Sequence, residues 1–360
     1  MHIYSSTKKQ PRLKIGILGA RGYSGMELGR SLLQHPYVES LTLGVNETKI
    51  SLTHWLPEST HREVSAVSIA ELLEKAPQLD VVFLATPAEV SMELTPSLLS
   101  SGTKVIDLSG AFRLKDPQTF LKWYGFEHKN QDLLNKAKYG LNPFLKIPEP
   151  NQCQLIANPG CYASAVQLAL IPLLKHGLLK TESIVIDAKS GTTGAGKKSS
   201  ESQLFAEVDG ECLPYKVGKH QHFPEICDHI LNFANTTINP IFSTSLIPVR
   251  RGIIAGIYAQ MNSNFTADNV DEAFQEAFVN YPLVRFGRTE GIEGASLMSL
   301  KKVVGSARTH IAYTVDGSKL YLYCCIDNLM KGAASQAIEN MNYLWGWPVQ
   351  TGLLHREGLL

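Results

Sequence analysis

The chain has 360 residues and a formal net charge of +1, and 44% of its residues are hydrophobic while 19% are charged. This length predicts two domains or one large one, and this balance is typical of a globular protein with an ample core. The near-zero net charge argues against a nucleic-acid partner or an anionic membrane surface, because either requires a basic field.

Targeting and cysteine patterns favour a cytoplasmic protein. Residues 1–14 are polar and basic and lack the apolar core of a secretory signal, and no stretch reaches the length of a membrane span. The six cysteines form no C-x-x-C pair, which argues against a disulfide framework or a zinc site. We therefore expect a reduced thiol state, no membrane partner and no metal.

The first 108 residues alternate short apolar runs with helical patterns. Strands are predicted at 13–18, 40–45, 80–85 and 104–108, with helices at 26–33 and 89–99. The strand runs are apolar throughout, as in strands that are covered on both faces, so we expect an α/β fold with a Rossmann-type, doubly wound parallel sheet. Residues 109–152 are rich in aromatic residues and proline and predict an ordered loop region over this sheet.

The pattern changes after residue 160. Strand-like runs with alternation or β-branched residues follow at 184–188, 243–249, 252–260, 310–315 and 319–326. Because few helices separate these runs, they predict a second, α+β domain with a mixed sheet. An amphipathic helix is predicted over 329–345.

Glycines recur every third residue from Gly16 to Gly25, where the first strand turns into the first helix. Backbone without side chains can approach a pyrophosphate, and a helix N-terminus favours its charge, so this turn predicts a dinucleotide site. The alternative is a purely structural tight turn. An acidic residue at the end of the second strand would favour NAD, but Asn46 stands there, and Arg21 and Lys49 offer charges for a 2′-phosphate. The sequence therefore favours NADP, although Glu47 argues mildly against it.

Cys161 follows an apolar run at 155–157 and the turn Asn158-Pro159-Gly160, and it begins a helical pattern. A helix N-terminus presents unpaired N–H groups and partial positive charge, which should ease ionisation of the thiol and could hold an oxyanion. We therefore expect a nucleophile here; the alternative is a buried small residue that packs the helix start.

Three further segments concentrate polar side chains. The basic, hydroxyl-rich loop from Lys189 to Lys198 could bind a phosphate or a substrate anion, or it could be a solvated connector. His220 and His222 lie two residues apart, so in an extended segment only one would face the thiol as general acid/base, with Glu225 to orient it. A structural histidine is the alternative. Arg250 and its neighbour Arg251 could bind an anion or form a surface hairpin.

Residues 156–172 closely resemble the active-site signature of N-acetyl-gamma-glutamyl-phosphate reductases, with Ser164 where that family usually has threonine. Segments 19–25, 105–114, 189–196, 220–226 and 326–334 are also similar to blocks of that family. The family commonly carries a hydroxyl and an arginine after the second strand, where this chain has Asn46, Glu47 and Thr48.

The resemblance implies an NADP-dependent reductase of arginine biosynthesis. It would convert N-acetyl-gamma-glutamyl phosphate and NADPH to N-acetyl-glutamate semialdehyde, NADP and phosphate, through a thioester on Cys161. Residues 1–157, completed by 328–360, would form the dinucleotide-binding domain, and 158–327 a catalytic and oligomerisation domain of the semialdehyde dehydrogenase kind. The protein would be a homo-oligomer, a dimer or a tetramer.

The resemblance also implies residue roles. The catalytic residues would be Cys161, His222 and His220, with His222 preferred for proton transfer. The cofactor-binding residues would be Gly19, Arg21, Gly22, Tyr23, Ser24, Gly25, Asn46, Gly191, Gly194 and Asn328. The substrate-binding residues would be Ser109, Arg113, Asn158, Ser190, Lys197 and Glu225.

Three alternatives remain open at this point. Aspartate-semialdehyde dehydrogenases share the fold and the cysteine chemistry, but in that family a histidine follows a glycine after an arginine-rich strand, and Gly252-Ile253 lacks it. A reductase for a carrier-bound aminoadipate phosphate is a closer alternative. A dinucleotide sensor without catalysis belongs to a different class, and the presence of Cys161, His220 and His222 argues against it.

Overall fold

The computed structural model describes residues 11–45, 56, 63–197 and 204–354. Its strands are β1 (Leu13–Leu18), β2 (Val38–Gly44), β3 (Glu63–Val67), β4 (Val81–Leu84), β5 (Lys104–Asp107), β6 (Lys138–Tyr139), β7 (Leu155–Ala157), β8 (Val185–Ser190), β9 (Leu213–Pro214), β10 (Ile241–Leu246), β11 (Ile253–Gln260), β12 (Val284–Arg288), β13 (Thr309–Asp316) and β14 (Lys319–Ile326). Its α-helices are α1 (Tyr23–Leu33), α2 (Ile69–Lys75), α3 (Ala88–Ser100), α4 (Pro117–Tyr124), α5 (Gln131–Lys136), α6 (Cys161–Lys175), α7 (Phe205–Val208), α8 (His222–Ala234), α9 (Ala267–Phe278), α10 (Gly291–Leu297) and α11 (Ser335–Leu344).

The first sheet contains seven parallel strands in the order β3-β2-β1-β4-β5-β7-β6. All four residues of β4 are buried, because helices and loops cover both faces of the sheet. The strand order reverses between β1 and β4, so the turns that follow these strands flank a crevice at their carboxyl ends. The predicted doubly wound parallel sheet is confirmed.

The second sheet is mixed, as the sequence predicted, with the order β12-β13-β14-β11-β8-β10-β9. Pairs β8–β10 and β12–β13 are parallel and the others are antiparallel. Burial alternates along β8, since one of its faces packs on the core and the other does not.

Helix α6 lies at the centre of the molecule. Every residue from Tyr162 to Leu174 is buried, and the same hydrophobic core contains Ile156 of the first sheet and Ile257 of the second. A helix that is apolar on all sides is stable only when protein surrounds it. This position holds the helix N-terminus, and with it Cys161, between the two sheets.

Two predicted elements differ from the structure. Residues 109–152 contain α4, α5 and β6 rather than loop alone. The predicted helix over 329–345 begins as a π-helix, Met330–Ala334, and continues as α11. Helix α11 is not amphipathic in its surroundings: nine of its ten residues are buried, including Gln336, Asn340 and Asn342.

The buried amides of α11 bind the first sheet and its loops. Asn340 donates to Oδ1 of Asn158 (3.0 Å) and accepts from Asn142 (2.8 Å), and Gln336 donates to the Gly140 carbonyl (2.9 Å). Such buried amides are tolerated because they find hydrogen-bond partners, although among the described residues none donates to Oε1 of Gln336. No helix in the described part of the chain is both long and apolar enough to cross a membrane.

Candidate active site

A cavity of about 500 Å³ opens where the turns after β1, β4, β5 and β7 face the second sheet. Its wall brings together most of the residues predicted for the site: Gly22, Tyr23, Ser24, Gly25, Arg113, Cys161, Ser190, Gly194, His220, His222 and Asn328. Because these residues come from segments far apart in the chain, only the folded protein creates this site.

Cys161 is the first residue of α6, and Gly160 before it has an extended backbone (φ −71°, ψ 155°). The thiol therefore lies at the helix N-terminus, as the sequence predicted. Two glycines allow close packing around it. A Cβ on Gly160 would overlap Nε2 of His222, and a Cβ on Gly332 would lie 2.6 Å from Cβ of Cys161. The side chain remains partly exposed to the cavity.

The thiol does not ionise as easily as its helix position alone implied. Burial raises the pKa of Cys161 to about 11, although the charge of Arg113 and the backbone N–H groups of Tyr162 and Cys161 favour the thiolate. Desolvation has the larger effect on this pKa because protein atoms surround the sulfur on most sides. The resting side chain is therefore a neutral thiol near neutral pH.

His220 accepts a hydrogen bond at Nδ1 from the backbone N–H of His222 (3.1 Å). The neutral ring must then carry its proton on Nε2, because a backbone N–H can only donate. Burial, and then the charges of the neighbouring His222 and Lys216, lower the pKa of His220 to about 2. His220 is thus a neutral donor on the cavity wall.

His222 lies beside Arg113, with Nε2 at 3.4 Å from a guanidinium nitrogen. A guanidinium cannot accept a hydrogen bond, so Nε2 accepts and Nδ1 carries the proton. Nδ1 is buried, and none of the described residues accepts from it. Burial and the charges of Arg113 and Lys216 hold the pKa of His222 well below its ordinary value.

Both histidine rings line the cavity, with centroids 4.7 Å apart. The prediction that only one would face the site assumed an extended segment. In the structure His222 is instead the first residue of α8, so the chain turns between the two residues.

Arg113 and Glu225 form a buried ion pair behind the thiol, with 3.4 Å between guanidinium and carboxylate. Arg113 also donates to the carbonyls of Asn158 (2.9 Å) and Leu108 (2.8 Å). Although burial disfavours its charge, the carboxylate of Glu225 keeps the pKa of Arg113 above its ordinary value. The guanidinium is held on several sides, and one edge of it reaches the cavity wall.

Glu225 does not reach the cavity, although it was predicted to bind substrate. Its side chain is fully buried, and Oε1 accepts from the backbone N–H of Gly160 (2.7 Å) and from the hydroxyl of Tyr139 (2.8 Å). The carboxylate therefore fixes the residue that precedes Cys161. Neither Tyr139 nor this bond to Gly160 was foreseen from sequence.

Three other predicted substrate residues also have different surroundings. Asn158 is buried and its amide is occupied by Asn340 and the Ala333 carbonyl. Ser109 donates to Asp107 (2.9 Å) and is not part of the described cavity wall. Lys197 is exposed and lies against α1, where its ammonium contacts Met26 and the Tyr23 ring.

The glycine turn after β1 fits a dinucleotide pyrophosphate. Gly19 has φ +78°, and a Cβ there would overlap the Ala85 carbonyl, while a Cβ on Gly25 would lie 2.5 Å from the Gly19 carbonyl. Helix α1 begins after Gly22 with no side-chain cap, so its first N–H groups remain available for an anion. Tyr23 and Ser24 lie in this first turn, and Asn46 lies outside the described residues.

The opposite wall comes from the turn after β8 and the start of the C-terminal segment. Asn328 accepts from the backbone N–H of Gly252 (2.8 Å) and donates to the Thr193 hydroxyl (3.1 Å), which fixes the turn that contains Gly194. Gly191 supports this turn through backbone packing rather than by lining the cavity, since a Cβ there would lie 2.7 Å from the Arg251 backbone nitrogen.

One interpretation of the Arg250-Arg251 pair was that it binds a substrate anion, but the guanidinium of Arg251 already has other partners. Its guanidinium pairs with Glu27 of α1 and with Asp327 after β14, each at 2.9 Å. The side chain of Arg251 instead links α1 to the end of β14 in the second sheet.

Comparisons with known proteins agree with this architecture. A model of the semialdehyde dehydrogenase NAD binding domain matches residues 14–155, and a model of the semialdehyde dehydrogenase dimerisation domain matches 161–328. Among solved structures, aspartate semialdehyde dehydrogenase II from Vibrio cholerae is 16% identical with a TM-score of 0.70, covering 93% of this chain and 98% of that one. Aspartate semialdehyde dehydrogenase from Francisella tularensis is 14% identical with a TM-score of 0.68, covering 92% and 99%. At this identity the likeness concerns the fold.

Closer relatives share much more of the sequence. A protein of Bacillus cereus strain AH187, named N-acetyl-gamma-glutamyl-phosphate reductase, is 41% identical over 347 residues, which cover 95% of this chain and 99% of the relative. A Bacillus mycoides protein of the same name is 42% identical over 349 residues with the same coverage. The chain therefore belongs to the N-acetyl-gamma-glutamyl-phosphate reductase family.

Proposed function

We propose that this protein reduces N-acetyl-gamma-glutamyl phosphate to N-acetyl-glutamate semialdehyde with release of phosphate, in arginine biosynthesis. The observation that carries the proposal is the position of the Cys161 thiol at the N-terminus of α6, in one cavity with the His220 donor and the glycine turn. The names of the relatives described above support the choice of substrate.

In the first step, the sulfur of Cys161 bonds to the acyl carbon and the bond to the phosphate oxygen breaks. Because the thiol starts neutral and the acceptor nitrogen of each histidine already holds a hydrogen bond, the thiol proton leaves on the phosphate, and a thioester remains. The N–H groups at the start of α6 and the Nε2–H of His220 are the donors for the oxyanion that forms in between.

In the second step, the thioester becomes an aldehyde. The glycine turn and the Gly194 turn would hold a nicotinamide dinucleotide, which would supply the hydride when bound. His220 donates to the carbonyl oxygen as negative charge develops there, and when the C–S bond breaks the departing thiolate takes up one proton from solvent. His222 acts as a positioning residue, because its Nε2 is occupied by Arg113. These contacts favour His220 over the sequence-based preference for His222.

The proposed cofactor is NADP(H). Arg21 belongs to the glycine turn, and the ammonium of Lys197 lies 5.4 Å from the ring centroid of Tyr23 in the first turn of α1. Two cations in this position favour an additional phosphate. Rates with NADPH should exceed those with NADH by about tenfold or more, and equal rates would reject the preference.

We also propose that residues 1–157 and 328–360 form the cofactor unit and 158–327 the catalytic and oligomerisation unit. The contacts of α11 with the first sheet support this division.

A homo-oligomer would cover the face of the second sheet that carries Tyr258, Tyr321 and Tyr323. The ring centroids of Tyr321 and Tyr323 lie 6.0 and 6.2 Å from that of Tyr258. Light scattering that gives the mass of a single chain would contradict the homo-oligomer.

All six cysteines are free, which supports a cytoplasmic location. Cell fractionation would test this location.

The decisive assay is the reverse reaction, in which N-acetyl-glutamate semialdehyde is oxidised with NADP in the presence of phosphate. Cys161→Ser should lower turnover by about a thousandfold or more, because a hydroxyl is intrinsically a much weaker nucleophile than a thiol and a poorer leaving group when the aldehyde forms. The exposed Cys212 provides the matched control, and Cys212→Ser should retain activity. A Cys161→Ser variant with turnover near that of the wild type would refute the covalent mechanism.

Substrate choice needs its own comparison. Aspartate semialdehyde and the aminoadipate homologue should be oxidised far more slowly than N-acetyl-glutamate semialdehyde. Faster oxidation of either compound would assign the protein to that reaction, and NADP binding without any turnover would favour the sensor.

A further inference from the structure

The charges on the wall of the active-site cavity are unevenly compensated. Among the described residues of this wall, Arg113 and Lys216 carry the formal charges at neutral pH, and no carboxylate lines it. The charge of Arg113 is offset by Glu225 at 3.4 Å. The ammonium of Lys216 instead donates to the neutral amide of Gln221. The positive charge that this cavity offers to a ligand therefore comes chiefly from Lys216.

The backbone of Lys216 is in an unfavourable conformation. Its φ is +47°, and the other described non-glycine residues with positive φ, Asn235 and Asn264, are of the type that tolerates this region. Glycine would adopt the conformation without strain, as Gly218 does two residues later at φ +65°. A lysine kept at such a position points to a role for its side chain, because backbone strain persists mainly where function requires it.

Lys216 lies on the part of the wall near the thiol and the histidines. Tyr215 beside it donates a hydrogen bond to the hydroxyl of Tyr162 (2.9 Å), the residue after Cys161. The ammonium of Lys216 donates to Gln221, the residue between His220 and His222, and all of these residues line the same cavity. The glycine turn that fits the cofactor belongs to a different part of the wall.

We propose that Lys216 is a specificity-determining residue that binds an anionic group of the acyl phosphate, either its phosphoryl or its carboxylate oxygens. An ammonium with three donors and one neutral partner retains the capacity for such a contact. This inference rests on the proposed function. It adds a residue whose loss should weaken substrate binding without removing the reacting groups.

The reverse reaction separates the two anions, because inorganic phosphate and the aldehyde, which carries the carboxylate, are then different substrates. Lys216→Gln should raise the KM for one of them by about tenfold or more and leave the KM for NADP unchanged, with a smaller effect on kcat. A rise for phosphate assigns the phosphoryl group, and a rise for the aldehyde assigns the carboxylate. Lys216→Arg should restore much of the affinity.

Lys219 is the matched control, since it is exposed in the same loop but is not part of the described cavity wall. Lys219→Gln should leave both KM values unchanged. If Lys216→Gln behaves like Lys219→Gln in an active enzyme, the inference is refuted. If the wild-type protein shows no phosphate-dependent oxidation at all, the proposed function has failed instead.

Lys216→Gly tests the conformational argument. It removes the cation and relieves the strain, so its KM should rise as in Lys216→Gln while its thermal midpoint equals or exceeds that of the wild type. A lower midpoint would show that lysine serves stability at this position and would overturn the inference.

Discussion

Replacing Glu225 by glutamine should destabilise the protein strongly. The substitution keeps an oxygen for the Gly160 N–H (2.7 Å) and the Tyr139 hydroxyl (2.8 Å), but it removes the charge that faces Arg113. At an effective dielectric constant of about 20, two unit charges 3.4 Å apart attract by about 5 kcal/mol. Breaking a buried pair usually costs about 3–5 kcal/mol, since the remaining charge is left uncompensated. We therefore expect a loss of about 3–5 kcal/mol in the free energy of unfolding.

Catalysis should suffer as well, although Glu225 does not touch the cavity. The carboxylate fixes Gly160, and Arg113 is the hydrogen-bond partner of His222. Small displacements of reacting groups cost about a hundredfold in rate, so kcat should fall by about ten- to a hundredfold. Urea denaturation followed by circular dichroism measures the first effect, and the reverse assay measures the second.

Two controls make this test specific. Glu276 pairs with His176 at the surface, with its side chain 74% exposed, so Glu276→Gln should change stability by less than about 1 kcal/mol. Adding Arg113→Met to Glu225→Gln should recover part of the stability but not the turnover, because no unpaired charge is then buried and the oxygen that binds the Gly160 N–H is retained. If Glu225→Gln unfolds at the same urea concentration as the wild type, the ion pair does not contribute as argued.

The remaining predictions concern histidines. His220→Asn should lower turnover by about a hundredfold, whereas His222→Asn should have a smaller effect; the opposite order would exchange their roles. Burial lowers the pKa of His229 to about 4, and it also lowers the pKa values of His220 and His222. Below the unfolded value of about 6.5, the unfolded chain therefore binds more protons than the folded chain, and stability falls as the pH is lowered. Each of these histidines adds up to about 1.4 kcal/mol per pH unit to this loss in the free energy of unfolding. His229→Gln should remove one such contribution when unfolding is measured between about pH 7 and pH 5. An unchanged dependence of stability on pH would contradict this.

The sequence was most informative where one physical requirement dominates. Strands covered on both faces must be apolar throughout, so β1, β4 and β5 were visible as continuous runs. The Pro-Gly turn before Cys161 identified the helix start, and the residue predicted to be the nucleophile is the first residue of that helix. Edge strands such as β3 are half exposed and carry no such pattern, which is why they were not predicted.

Prediction failed where polar residues are buried. Helix α11 has an apparent polar face because Gln336, Asn340 and Asn342 recur along it. In the structure Gln336 and Asn340 bind the loops of the first sheet, and Asn342 binds the carbonyl of Val349, so none of these amides faces solvent. Glu225 was read as a substrate ligand for the same reason. A sequence shows that a side chain can form hydrogen bonds, but which distant partner it meets depends on the tertiary structure.

The packing of Gly332 against Cys161 has a consequence for synthesis of the chain. When the ribosome has completed α6, Cys161 has already been synthesised. The residues that close around it, Asn328, Gly332 and Asn340, are translated more than 150 residues later. A nascent chain can therefore expose a cysteine before it possesses a reaction site. Since the closing segment arrives near the end of translation, a chain interrupted before it would hold the thiol without the surroundings that keep it neutral and positioned.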